Sequence, residues 1–151
     1  MADRVHVHCS FDSRMSPAGV IAALTDFSAG RLETWPNIDP AKYKVHEVGD
    51  TWALVTEGNA EPDIWALERY TWGPDWMSIK AEESNFCCVG DGTDLKITPN
   101  PDGGSHIELD WEREASSPDW EPIMAMMAEQ GEALLAMAYR DRLDQLADTA
   151  A

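Results

Sequence analysis

Cysteine, positive charge and long apolar runs are all scarce in this chain, and each scarcity excludes something. The cysteines are Cys9, Cys87 and Cys88. An odd count with two neighbours side by side is no disulfide framework, because adjacent residues are badly placed to bridge. There is no Cys-x-x-Cys, and the histidines fall at positions 6, 8, 46 and 106. His6-Val7-His8 would put two imidazoles on one side of a strand, yet no neighbouring carboxylate or thiol completes a ligand set, so no metal is expected. Basic residues number 11 against 28 acidic ones, a net charge of -17. That balance argues against nucleic acid and anionic membrane surfaces, which require a basic footprint, and describes a solvated acidic exterior. No segment approaches the roughly 18 apolar residues of a membrane span, and Met-Ala-Asp-Arg-Val-His-Val carries no apolar leader core; the expectation is a cytoplasmic protein. Gly-x-Ser-x-Gly, His-Glu-x-x-His and a glycine-rich phosphate loop are absent, and no cofactor is implied.

What remains is a soluble globular composition, 44% hydrophobic over 151 residues, enough for one domain spanning 1–151 with a full core. Residues 4–11 alternate with period two, placing Val5, Val7, Cys9 and Phe11 on one face of a strand. Ser16-Pro17 opens a short helix through Leu24, with serine as cap and proline in the first turn. A second short helix is expected over Ser28 to Thr34, stopped by Trp35-Pro36. Strands follow over 43–48 and 51–57, joined at Gly49-Asp50. Another pair covers 64–72 and 76–82, turning at Gly73-Pro74-Asp75. A further strand is expected from Phe86 to Val89, broken at Gly90-Asp91-Gly92 and resumed over 93–98. Pro99 to Gly104 is a turn, and the last strand covers 105–114. From Pro118 to Leu146 runs one long amphipathic helix.

One strand, two short helices, about six strands and a long helix make an α+β plan, with helices on one face of an antiparallel sheet. The chain resembles the birch-pollen-allergen-like, START-like superfamily, also known as polyketide cyclase/dehydrase and lipid transport proteins. The resemblance spans nearly the whole chain. It is carried by Trp65-Ala66-Leu67-Glu68-Arg69-Tyr70-Thr71-Trp72-Gly73-Pro74, by Glu83-Ser84-Asn85-Phe86, and by Leu95-Lys96-Ile97-Thr98-Pro99 leading through Asp102-Gly103-Gly104 to Ile107-Glu108-Leu109-Asp110-Trp111. It implies a helix-grip fold: a curved antiparallel sheet of about seven strands around the terminal helix, with the two short helices after the first strand. It also implies a cavity between sheet and helix.

Strand parity then selects the candidate lining. Leu109 and Trp111 point inward with Ile107; so do Leu95 and Ile97, and Met77, Ile79 and Ala81. Between 64 and 72 two parities are open. One turns Glu68, Tyr70 and Trp72 inward, and is preferred because Met77 lies just across the turn from Tyr70 and Trp72. A one-residue slip would exchange Glu68 for Arg69. An inward Glu68 needs a partner, or its pKa rises. On the helix, Met124, Met127, Gly131 and Leu134 fall on one stripe with Trp120, Leu135 and Ala138, and Gly131 either leaves room for a ligand or permits close approach to the sheet. Seven tryptophans could line a pocket or fill it. The reading is a monomer or homodimer that binds a small hydrophobic or aromatic molecule, lipid or polyketide-like, without catalysis. The alternatives are a cyclase/dehydrase-like enzyme using Glu68, Tyr70 or His46, and a stress or toxin–antitoxin-type protein that acts through its surface around a filled core.

Overall fold

The structure is a computed structural model and describes residues 4–150; the two ends of the expected 1–151 domain lie outside the described residues. Seven strands form one antiparallel sheet: β1 (Val5–Ser13), β2 (Lys44–Val48), β3 (Trp52–Asn59), β4 (Ile64–Trp72), β5 (Trp76–Ser84), β6 (Gly92–Pro99) and β7 (Ser105–Arg113). Their order across the sheet is β1-β7-β6-β5-β4-β3-β2, so the chain runs as a meander from β2 and brings its first strand alongside its last. Helices α1 (Pro17–Leu24) and α2 (Arg31–Thr34) connect β1 to β2, and α3 (Glu121–Ala150) closes the chain after a 3-10 turn at Pro118–Trp120.

Alternation fixes which face is inside. On β1, Val7, Cys9 and Phe11 are buried while the residues between them are exposed. On β7, Ile107, Leu109 and Trp111 are buried, opposite Phe11, Cys9 and Val7 respectively. Met77, Ile79 and Ala81 of β5 and Leu95 and Ile97 of β6 complete the inner face. The outer face is polar: His6 and His8 both turn to Asp110 Oδ1 at 2.8 and 2.9 Å. Among the described residues, no group of three or more His, Cys, Asp or Glu side chains is placed to hold a metal ion, and no helix is long and apolar enough to cross a membrane.

Two segments differ from the sequence expectation. The residues 86–89 are not a strand; only a single bridge, Cys87 to Ala115, ties them to the sheet. Side chains satisfy their backbone instead. Ser84 Oγ accepts from the amides of Phe86 and Cys87 at 2.9 and 3.2 Å. Asp91 Oδ2 accepts from Cys88 and Glu114 at 2.9 and 2.8 Å. Such local bonds compete with a ladder and release the segment from it. The loop turns at Gly90, whose φ of 89° suits glycine. The second helix is a single turn rather than seven residues: Ser28 accepts from the amides of Gly30 and Arg31 in a tight turn, which delays the helix to Arg31.

Helix α3 lies lengthwise along β1. Gly131 is buried against Val7, and a Cβ built on it would sit 3.0 Å from Val7 Cγ2. Thirteen residues later Asp144 accepts from Ser13 Oγ at 2.7 Å and the Arg14 amide at 2.8 Å. Thirteen helical rises and the six strand rises from Val7 to Ser13 are both about 20 Å, so element and partner stay in step. At its other end, Trp120 packs edge-on against Phe86 with centroids 5.6 Å apart and donates to the Asn85 carbonyl at 2.6 Å.

Candidate functional site

With α3 lying along β1, the inner face of β3, β4 and β5 is left partly uncovered. The segment between β1 and β2 reaches over it. Ser16 caps α1 by accepting from the Gly19 amide at 3.1 Å, and the chain then turns through Asp26 and Ser28 into α2, which delivers Arg31. This guanidinium is buried, and every one of its nitrogens is engaged. Nε donates to Glu57 Oε2 at 2.6 Å, Nη1 to the carbonyls of Leu24 and Asp26 at 2.9 and 3.1 Å, and Nη2 to the Tyr70 hydroxyl at 3.1 Å. The Phe27 ring covers it, with its centroid 4.5 Å from Cζ. Tyr70 in turn donates its hydroxyl proton to Glu57 Oε1.

Arg31, Glu57 and Tyr70 are therefore a closed set. Burial alone would lower the arginine pKa, but Tyr70 and Glu57 outweigh it and raise it. Burial pushes the Tyr70 phenol well above its usual range, and the Glu57 charge adds to that. A buried arginine with a carboxylate and three further acceptors anchors α2 to β3 and β4, with four of its five N–H donors engaged.

Between this anchor and α3 lies a cavity of about 740 Å³. Glu57, Glu68, Tyr70, Met77, Ile79 and Trp111 form its sheet side; Leu134, Leu135, Met137, Ala138 and Tyr139 come from α3. Trp35 through Ile38 and Asn59, Asp141, Arg142 and Gln145 surround its mouth. Arg142 clasps the mouth by donating to the Thr34 carbonyl and, from Nη2, to the Glu33 carbonyl at 2.8 Å. Trp35 is held by its indole N–H on the Ala23 carbonyl at 3.0 Å and packs on Tyr139, centroids 6.0 Å apart.

Glu68 makes no hydrogen bond within the protein. It stands on β4 opposite Val55 on one side and Ala81 on the other. Desolvation pushes its pKa from the ordinary 4.5 to about 7; Arg113 and Arg31 pull the other way, Glu57 opposes them, and no hydrogen bond contributes. Tyr139, on the facing helix, has its phenol raised by burial, also with no hydrogen bond contributing. The cavity is thus apolar-walled, with one carboxyl group poised near neutrality and one phenol facing it.

The nature of this architecture is decided by solved structures that superpose on it. A START superfamily protein from Mycobacterium smegmatis matches with a TM-score of 0.72 at 14% identity, over 93% of this chain and 98% of that one. An aromatase/cyclase from Streptomyces sp. R1128 matches at 0.75 and 13%, over 97% and 94%. The chain has a START-like, helix-grip fold. Norcoclaurine synthase from Thalictrum flavum shares the helix grip as well, with a TM-score of 0.67 at 13% identity over 96% of this chain and 94% of that one. No sequence-family model matches the chain, and no curated protein matches it in sequence. At these identities the likeness concerns the fold.

Within the helix grip, the candidate residues divide. Glu68, Tyr70, Met77, Ile79, Trp111 and Leu134 line the cavity. The Glu68 parity holds on β4, while Arg69 faces outward and pairs with Glu82 at 2.6 Å. Leu95, Ile97, Leu109 and Met124 are buried in the core and do not reach the cavity. Trp72 packs on Phe27 instead, centroids 6.0 Å apart. Met127 and Gly131 are not in the cavity lining; Gly131 lies against Val7 of β1 with Met127 Cε beside it, so the glycine permits close approach rather than making room for a ligand. His46 bonds Thr56 Oγ1 on the exposed side of β2 at 2.8 Å, away from the cavity. Of the seven tryptophans only Trp35 and Trp111 reach it.

Sequence reasoning passed over Arg31, Glu57 and Tyr139. The signal for the first two is present in the sequence: Ala53, Val55 and Glu57 share one parity, and Arg31 is the only Lys or Arg between Arg14 and Lys42. A buried acid on β3 has to find its cation somewhere, and the two-helix segment offers one.

Proposed function

We propose that this protein binds a small hydrophobic or aromatic molecule, lipid or polyketide-like, in the cavity between its sheet and α3, without converting it. The observation that carries the reading is the cavity itself: about 740 Å³, apolar-walled and reached by a mouth between α3 and the residues 35–38. Its size falls in the range of sites that enclose small organic ligands. A core filled by tryptophan would favour a protein that works through its surface, but five of the seven tryptophans pack elsewhere. The reading takes the protein to act in the cytoplasm, as a monomer or homodimer, and apart from nucleic acid, the last supported by its charge of -17. Native mass spectrometry of protein purified from its own host should reveal a bound small molecule, and the purified protein should take up the neutral dye Nile red saturably. Absence of both would sink the proposal.

One observation favours a second reading. A carboxyl group with a pKa of about 7 in an apolar cavity is suited to accept and return a proton at neutral pH. In that case the protein is a cyclase/dehydrase-like enzyme with Glu68 as acid–base group. Incubating the recovered ligand with wild type and with Glu68→Gln separates the two readings: chemical change that stops in the variant while binding persists is catalysis, and unchanged ligand in both is carriage.

A further inference from the structure

We infer that the molecule this cavity selects is a hydrophobic amine, bound in its protonated form with its ammonium group on Glu68 and its ring system against Trp111 and the α3 wall. The inference rests on the ligand-binding reading above and names the chemical class. Its first support is the distribution of partners. The other buried carboxylate of the site, Glu57, is held by Arg31 and Tyr70, and Arg31 commits four of its five N–H groups to Glu57, Tyr70 and two carbonyls. Glu68 is the carboxyl group that faces the cavity without a hydrogen bond from the protein, so its natural complement is a donor carried by the ligand.

The second support is the balance of charge around it. Among the groups facing Glu68, Arg31 and Glu57 cancel each other. Tyr70 and Tyr139 are phenols that burial keeps protonated. Arg113 is the remaining cation, but its Nη1 is spent on the Gly92 carbonyl and Thr93 Oγ1 at 3.1 and 3.2 Å and its guanidinium lies over Trp111, 4.6 Å from the centroid. It influences Glu68 at a distance without capping it. A carboxylate or phosphate ligand would meet Glu68 head-on and would also approach against a net charge of -17. Cations are attracted by the same field. Fatty acids are thereby disfavoured, although the cavity walls would suit their chains.

Three probes of one shape decide the matter: 2-(2-naphthyl)ethylamine, 2-(2-naphthyl)ethanol and 2-naphthylacetic acid, each titrated at pH 8 by calorimetry, with Nile red as control. The amine should bind at least about tenfold tighter than the alcohol, and the acid should bind weakest. In Glu68→Gln the amine should lose that advantage while the alcohol stays within about threefold. With wild type alone, the advantage should vanish between pH 8 and about pH 5.5 as Glu68 takes up its proton; this arm stands even if the variant folds poorly. An alcohol that equals or beats the amine while Nile red still binds overturns the amine assignment and leaves the cavity reading intact. An advantage retained in Glu68→Gln or unchanged at pH 5.5 overturns it too. Failure of all three probes and of Nile red overturns both.

Discussion

Glu68→Gln should make this protein more stable at pH 8 and change it little at pH 4. The side chain keeps its shape and loses only the ability to ionise. In the unfolded chain Glu68 titrates near the ordinary 4.5; in the fold, desolvation moves it to about 7. Below pH 4.5 it is protonated in both states and no difference exists. Between pH 4.5 and 7 the folded form holds a proton that the unfolded form has released, so raising the pH favours unfolding by up to about 1.4 kcal/mol per unit. Above pH 7 both forms are ionised and the penalty levels off. A shift from 4.5 to about 7 corresponds to about 3 kcal/mol at the plateau, and water admitted through the cavity mouth reduces it, so about 1–3 kcal/mol is expected. The assay is urea unfolding of both proteins at half-unit steps from pH 4 to 8, read as the difference between them. Groups such as His8, whose pKa Asp110 raises, titrate in both proteins and cancel. A flat difference, or a wild type that gains on the variant as pH rises, would refute the placement of Glu68 in a desolvated site.

Arg31→Met should destabilise the fold by about 3–5 kcal/mol in denaturant unfolding, because Glu57 is left buried with only the Tyr70 hydroxyl; adding Glu57→Leu should recover most of that loss. Ala138→Trp, on the α3 wall beside the mouth, should leave unfolding within about 0.5 kcal/mol, since the position is exposed, yet abolish saturable Nile red uptake.

Much of the sheet was legible because period two is unforgiving. Val7-Cys9-Phe11 and Ile107-Leu109-Trp111 admit one inward face each, and the structure pairs them with each other residue for residue. Loop chemistry was harder to read. The apolar run at 86–89 has strand composition, and what keeps it out of the sheet is the Ser84 and Asp91 side chains, which lie beyond the run itself. The helix was harder still. Gly131 and Ala138 are seven residues apart and so point within about 20° of each other. One is pressed on Val7 and the other opens on the cavity. No wheel can separate them, because the difference lies in which neighbour is present at each height along α3.

That difference in height also explains why a cavity exists at all. The helix spends its contacts on β1, through Gly131 near the middle and through Asp144 on Ser13 and Arg14 near the end. It therefore cannot also press on β3 and β4 across the sheet. Arg31 fixes the height of the short helices above those strands by reaching Glu57 and Tyr70 through a long side chain. The gap left between the two supports contains an ionisable carboxyl group. A leucine at position 68 would fill space and remove a desolvation cost, and nothing in the packing of Val55 or Ala81 beside it requires an acid. The Arg31–Glu57 pair has a structural task; Glu68 has none. A destabilising, unpartnered acid at the centre of an open cavity is what the proposed ligand reading accounts for and packing alone does not.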